Sequence, residues 1–351
     1  MLQVFIAYSE DLERIAFMPP SLKEAWTGRI KLFYREYVPQ LGEVLPLERV
    51  EPSTISEEEL LRAHDKEYID FVKRKSIEGM GLLDYGDTPA YPGVFENALE
   101  TISATLTLAQ KLLVKGGVGF NPNGGFHHAR RRSAGGFCVF NDLAVAALWL
   151  REKGLERIAI VDIDAHHGDG TQQILYSSDI LKISIHGYGY GFYPGTGWID
   201  ELGEGVGYCR NINIPLPLGS GDDAFIIALR EVVESLLSSY DPQFLIIQGG
   251  ADGHRGDPLT YLNFTENSYI RFASLISRLA SRGVPVLVTG GGGYVPSTVA
   301  RIWALMIAGI AGSGAERFLT GDEETESGRV LLGIVEDRLS WLKNKIDECG
   351  L

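Results

Sequence analysis

Two adjacent histidines, His127 and His128, stand in the run Gly-Gly-Phe-His-His-Ala, and further along comes Asp162-Ile163-Asp164-Ala165-His166-His167-Gly168-Asp169. Packing alone does not call for so many ionisable side chains among glycines, because buried carboxylates and imidazoles cost several kcal/mol unless paired or bound to metal. A metal-assisted active site accounts for them.

Arg157-Ile158-Ala159-Ile160-Val161 reads as a buried strand, and its period-2 continuation puts Asp162, Asp164 and His166 on one face. An isolated Asp-x-His is more simply a capped turn beside a core histidine. A second apolar run, Phe244–Gln248, ends in Gly249-Gly250-Ala251-Asp252 and supplies a third ligand, which favours metal binding by Asp164, His166 and Asp252. Two carboxylates and one imidazole suit Zn²⁺, Fe²⁺ or Mn²⁺ and leave a coordination position open, as hydrolysis of an amide-like bond requires. His127 and His128 suit the proton transfers, since imidazole titrates near neutral pH, and Asp162 and Asp169 are the carboxylates free to orient them. Gly290 to Gly293 precede Tyr294 with no Gly-Lys-Ser/Thr behind them, so the turn reads as aiming a phenol at a developing oxyanion rather than cradling a phosphate. Phe137 and Tyr193, both set among glycines, read as core aromatics or as the walls of a narrow channel for an aliphatic stem. His254 reads as loop packing rather than a ligand.

These residues need a rigid frame, and the chain supplies one. Short β-branched runs at Val118-Phe120, Arg157-Asp162, Lys182-His186, Asn211-Ile214, Phe244-Gln248 and Val284-Thr289 alternate with helical patterns at Asn141-Lys153, Asp222-Ser239, Thr265-Ser281 and Ser297-Ile310. That alternation predicts βαβ units and a mainly parallel sheet, with function in the loops leaving the carboxyl ends of strands. Asp222 and Thr265 are expected as N-caps. Ser56-Glu57-Glu58-Glu59 predicts a capping-box start for a helix through about Arg74. Val4–Ala7 reads as a strand, and no linker or repeat divides the 351 residues, so a single domain is expected.

Composition narrows the function further. With 45% apolar and 22% charged residues the chain is an ordinary globular one, and its net charge of −14 disfavours nucleic acid and favours a cationic partner. Arg130-Arg131-Arg132 reads as structural ion pairs and receives no binding role. Cys138, Cys209 and Cys349 are odd in number and far apart, so neither a disulfide framework nor a cysteine zinc site is expected, and a reducing cytoplasm fits. No run approaches the roughly 18 apolar residues of a membrane span. Monomer and homo-oligomer both remain open.

Taken together, the motifs resemble the metal-dependent histone deacetylase family, including its acetoin-utilisation and acetylpolyamine amidohydrolase relatives. His-His, Asp-x-Asp-x-His-His-Gly-Asp-Gly, Pro-Gly-Thr-Gly, Gly-Ala-Asp…Asp-Pro-Leu and Gly-Gly-Gly-Gly-Tyr occur in that family's order between Ile55 and Ile310. The resemblance implies an arginase-deacetylase α/β fold, one domain over 1–351 with a central, mainly parallel sheet of about eight strands. It implies one catalytic divalent metal on Asp164, His166 and Asp252, Zn²⁺ first and Fe²⁺ as the alternative. It assigns His128 as the main general base and acid, His127 as a cationic partner, Asp162 and Asp169 as their carboxylates, and Tyr294 as the transition-state donor. Phe137, Gly136 and Tyr193 would line the acyl-lysine tunnel, with Asp87 at its rim. Asp162, Asp164, His166, Ser184 and Ile185 fall where the family holds a structural monovalent cation, K⁺. Met18-Pro19-Pro20 departs from the family's more usual His-Pro, and Phe plus Tyr replaces two Phe in the channel. The expected activity is release of acetate from acetyl-lysine in proteins. Its rivals are hydrolysis of acetylpolyamines or other small acylated amines and a non-catalytic acyl-lysine binder; an arginase-like dimanganese hydrolase needs further bridging aspartates, and the segment after Asp252 supplies only His254 and Asp257, at the wrong spacing.

Overall fold

The computed structural model describes residues 1–350. Eight strands, β1 (Val4–Ala7), β2 (Leu47–Val50), β3 (Val118–Asn121), β4 (Ile158–Asp162), β5 (Leu181–Tyr188), β6 (Asn211–Pro217), β7 (Phe244–Gln248) and β8 (Val286–Thr289), form one sheet. Their order is β2-β1-β3-β8-β7-β4-β5-β6 and every pairing is parallel. All but β2 are almost wholly buried, which is why they read as continuous apolar runs: helices cover both faces of a parallel sheet. The exposed, charged Glu48 and Arg49 make β2 an edge strand with little apolar signal.

The helices are α1 (Pro20–Leu32), α2 (Val38–Val44), α3 (Lys66–Glu78), α4 (Val94–Lys115), α5 (Asp142–Glu152), α6 (Asp169–Leu175), α7 (Asp222–Ala228), α8 (Glu234–Tyr240), α9 (Glu266–Ser281), α10 (Pro296–Ala311) and α11 (Arg329–Glu348). None among the described residues is long and apolar enough to cross a membrane. Thr265 caps α9 through the Asn267 amide, as expected. Asp222 does not cap α7, whose N-cap is Gly221. Its buried carboxylate instead accepts from Thr265, Ser268 and Thr325, tying α9 and the 319–328 segment to α7. The helix expected from Ser56 to Arg74 is broken. Ser56 accepts from the Glu58 amide and starts a 3₁₀ segment, Glu57–Arg62, and α3 begins afresh after Asp65.

The cysteine reading also needs correction. Cys209 and Cys349 form a disulfide, their Cα atoms 6.2 Å apart and 140 residues apart in sequence. Helix α11 packs against β6 and carries the chain end to the Cys209 turn, a long-range meeting that spacing along the sequence does not reveal. Cys138 is a buried free thiol.

Register fixes where chemistry can occur. Asn121 pairs with Thr289, Thr289 with Gln248, Gln248 with Asp162, and Asp162 with Ser184, so the carboxyl ends of β3, β8, β7 and β4 lie side by side. The chain passes from β3 to β4 across two intervening strands, which opens a crevice at the top of the sheet.

Candidate active site

Strand β4 stops at Asp162, and a turn, not the continuing period of the strand, places the next residues. Asp162 Oδ1 accepts the Asp164 amide at 3.1 Å, and Asp164 Oδ1 accepts the His166 amide at 3.1 Å. Asp162 gives its other oxygen to His127 and lines a separate small cavity, whereas Asp164 and His166 line the main one, so the three do not share one face as the strand period predicts. Asp164 and His166 meet Asp252 from the loop after β7, the three donor atoms lying within 4.8 Å of one another. His166 Nδ1 is 3.2 Å from Asp164 Oδ1 and 3.0 Å from Asp252 Oδ2.

The rest of each carboxylate is held by the frame. Asp164 Oδ2 accepts Gln248 Nε2 and the Gly292 amide, both at 2.7 Å, and Asp252 Oδ1 accepts the Ala165 amide at 2.8 Å. Gly292 must be glycine, because a Cβ there would collide with Asp252 Oδ2. No Lys or Arg pairs with Asp164 or Asp252, and both are buried, so their charges face only imidazoles, His166 between them and His127 Nε2 at 3.8 Å from Asp164 Oδ1. Against the opposing effect of burial, hydrogen bonds to Asp164 and Asp252 push His166 up to about 10. Burial and the Asp164 charge push Asp252 up to about 7. A protonated ring between two buried carboxylates stands where a divalent cation would satisfy the same atoms better, so the donor set fits a metal ion.

The tandem histidines approach from the loop after β3 and are paired one-to-one. His127 Nδ1 is 2.8 Å from Asp162 Oδ2, and His128 Nδ1 is 2.7 Å from Asp169 Oδ1 at the start of α6. A carboxylate acceptor fixes the proton on Nδ1, which leaves Nε2 of a neutral ring with its lone pair. The two environments differ in sign. Burial disfavours a charge on His127, but Asp162, Asp164 and Asp169 outweigh it and push the ring up to about 9. Burial and the His127 charge push His128 down to about 4, with Asp169 opposing. A cation beside a neutral base results. Asn141 and Asp142 hold the loop. The Asp142 carboxylate accepts the Gly125 and Phe126 amides, and Asn141 Nδ2 donates to the Ala129 carbonyl.

Phe137 owes its place to a tight turn. Gly135 and Cys138 exchange both backbone hydrogen bonds, with Gly136 at φ 50° and Phe137 at φ 65°, the geometry of a two-residue primed turn. A Cβ at Gly136 would strike the His128 ring. Left-handed φ on a phenylalanine costs on the order of 1 kcal/mol, and the Phe137 amide is secured by donating to Thr88 Oγ1 at 3.1 Å. The ring meets Tyr294 edge-on at 6.3 Å. Opposite, Tyr193 stands edge-on to His128 at 4.9 Å, and Phe192 stacks on His166 at 5.0 Å.

One cavity of about 260 Å³ collects His127, His128, Gly136, Phe137, Tyr193, Tyr294, Asp87 and the Asp-His-Asp centre. Burial and the nearby Asp252 charge hold the Tyr294 hydroxyl well above the usual tyrosine range, so it stays a donor. Asp87 is half-buried on a turn whose Asp84 carboxylate accepts from Gly86 and Thr88. Ser184 and Ile185 lie on β5. Ser184 is paired across the sheet with Asp162 and within 2.9 Å of His186 Nδ1, beside a small cavity that Asp162 also lines. His254 is outside the centre, its Nδ1 donating to the Arg255 carbonyl.

Several participants received no role from the sequence, although Asp257 stands in the Asp-Pro-Leu motif. Gln248 reads only as the end of a strand, yet it grips Asp164. Asp257 accepts the Tyr294 amide at 2.8 Å and so positions the phenol. Leu22 and Trp26, on the helix begun by the divergent Pro19-Pro20, line the cavity. Arg29 is fully buried against Trp26 and donates to the Gly293 carbonyl at 2.7 Å.

The family description Histone deacetylase domain matches residues 24–310, reaching further toward the N-terminus than the sequence motifs. The chain is 40% identical to the acetoin utilization protein AcuC of Bacillus subtilis, with 73% of this chain and 70% of that protein aligned. It is 38% identical to a probable deacetylase of Archaeoglobus fulgidus, over 75% of this chain and 74% of that one. Identity to histone deacetylase 8 of Xenopus laevis is 34%, over 75% and 82%. The crystal structure of the HDA15 HD domain superposes with a TM-score of 0.83 at 26% identity, covering 99% of this chain and 96% of that one. The fold is therefore the arginase-deacetylase fold, and the chain belongs to the histone deacetylase family and is a metal-dependent deacetylase.

Proposed function

We propose that this deacetylase removes acetyl groups from lysine side chains of proteins, with Zn²⁺ as its metal. The observation that carries the reading is the pairing of each tandem histidine with its own aspartate, beside a buried Asp-His-Asp centre in one narrow cavity. When bound at Asp164, His166 and Asp252, a divalent ion supplies Lewis-acid polarisation of the amide carbonyl and acidifies water toward a pKa of about 7. His128 takes a proton from the attacking water on Nε2 and returns it to the departing amine nitrogen. The hydroxyl adds to the carbonyl carbon, the C–N bond breaks, and acetate and lysine result. His127, kept cationic by Asp162, offsets the negative charge that develops, and Tyr294 donates a hydrogen bond to the oxyanion. Phe137 and Tyr193 flank the lysine stem, Gly136 leaves room for the His128 ring, and Asp87 receives substrate backbone amides at the rim. A structural K⁺ at Asp162, Asp164, His166, Ser184 and Ile185 belongs to the same reading.

Acetate release from acetyl-lysine peptides and from acetylputrescine, measured on protein reconstituted with Zn²⁺ or Fe²⁺, tests it. Chelator-sensitive turnover that favours the peptide is expected. A strong preference for acetylputrescine would replace the protein substrate with a small amine, and binding without turnover would leave only a recognition module.

A further inference from the structure

The two histidine–aspartate pairs are not equivalent, because one aspartate is gripped from behind. Asp169 Oδ1 accepts from His128, while Oδ2 accepts Arg130 Nε at 2.9 Å and Nη2 at 2.5 Å. Asp162 has no cationic partner besides His127, and its other oxygen accepts a backbone amide. Arg130 is itself fixed. Its amide donates to the Ser133 carbonyl at 2.9 Å, and its carbonyl accepts from His64 Nδ1 at 3.0 Å. The neighbouring Arg131 and Arg132 turn to Asp65 instead. A chain of charge-assisted hydrogen bonds thus runs from a guanidinium that is 43% exposed, through a carboxylate that is 6% exposed, to the ring on the cavity wall.

We propose that Arg130 is a positioning residue for the acid–base step, acting through Asp169 on His128. Its two N–H groups hold Oδ2, and a carboxylate gripped at one oxygen can present the other to His128 Nδ1 in only one orientation. The guanidinium charge also keeps Asp169 ionised, so the shared proton stays on His128 Nδ1 and the lone pair of Nε2 stays toward the cavity. The ion pair answers the question that the arginine triplet poses in the sequence. Its first member serves the site, and the other two serve the fold. The role rests on His128 being the proton carrier proposed above.

The test compares Arg130→Gln and Arg130→Lys in the full, metal-loaded chain, with kcat and KM for an acetyl-lysine peptide measured from about pH 3 to 10, a range that brackets the ring pushed down to about 4. Arg130→Gln is expected to lower kcat roughly 10-fold with KM and metal content unchanged. It should move the acidic limb of kcat/KM up by about half to one pH unit, because losing a positive charge favours protonation of His128. The other groups facing His128, namely His127, His166, Tyr193 and Cys138, are the same in both variants, so the displacement reports the guanidinium. Arg130→Lys restores the limb through its charge and only part of kcat, since an ammonium lacks the fork. Wild-type kcat in Arg130→Gln, or a lower melting temperature with the limb unmoved and no rescue by Lys, overturns the proposal. A wild-type protein without any deacetylation would remove the function itself, a distinguishable result.

Discussion

Replacing Asp169 by Asn separates geometry from charge at the proton carrier. The aspartate uses both oxygens, one for His128 and one for two donors of Arg130. An asparagine has one oxygen and one NH₂ group. Turning the oxygen toward Arg130 keeps two charge-assisted bonds, each worth about 1.5–3 kcal/mol, and turning it toward His128 keeps one of about 1 kcal/mol. The first orientation wins by roughly 2–5 kcal/mol, with the lower part of that range favoured because Arg130 is 43% exposed and water can replace its partner. The NH₂ group then faces Nδ1 of His128, the proton of the neutral ring moves to Nε2, and the lone pair in the cavity is lost. At about 1.4 kcal/mol per tenfold, the expected loss in kcat is about 30- to 1000-fold, with metal content and KM little changed. The decisive measurement adds Arg130→Gln to Asp169→Asn. With no guanidinium to claim the oxygen, it can face His128 again, so the double variant should be faster than Asp169→Asn alone. A double variant slower than Asp169→Asn would refute the orientation argument.

Other outcomes follow from the same geometry. Tyr294→Phe should keep its metal content, measured by elemental analysis, and lose about 100-fold or more in kcat; unchanged turnover removes the phenol from the reaction. The rate should rise with pH as His128, pushed down to about 4, loses its proton, and fall at higher pH as His127, pushed up to about 9, loses its own. A bound divalent ion draws both limbs to lower pH, and a profile with a single limb would contradict the split roles. Thiol titration of the unfolded chain should find one free thiol before reduction and three after, and reduction should cost about 2–4 kcal/mol of stability. Three thiols in the unreduced protein would count against the Cys209–Cys349 bridge.

What the sequence revealed was local or periodic. Strand ends marked by glycine and aspartate located Asp164, His166 and Asp252, because a ligand at the carboxyl end of a parallel strand leaves an abrupt change from apolar to ionisable residues. Thr265 announced α9 for a similar reason, since a cap acts within its own turn. Contacts between distant segments left no such trace. Asp222 looks like a cap and is a cross-link, Gln248 looks like core and holds the Asp164 carboxylate, and Arg29 meets Gly293 across 264 residues. The helix expected from Ser56 failed for a long-range reason: at the break before α3 the chain turns to the arginine triplet, His64 Nδ1 donating to the Arg130 carbonyl and the Asp65 amide to that of Arg131.

The bridge between Cys209 and Cys349 also divides the site by covalent topology. Asp252, Gly292 and Tyr294 lie within the closed loop, and His127, His128, Asp164 and His166 lie on the open stretch before it. The active site is thus a joint between a ring and a tail. The segment from 319 to 326, inside the ring, is mostly exposed and belongs to no helix or strand, held where Glu266 and Asp222 accept its amides. A single protease cut there would not release Tyr294 or the C-terminal helix. The two pieces would stay joined and part only when a reductant opens the bridge.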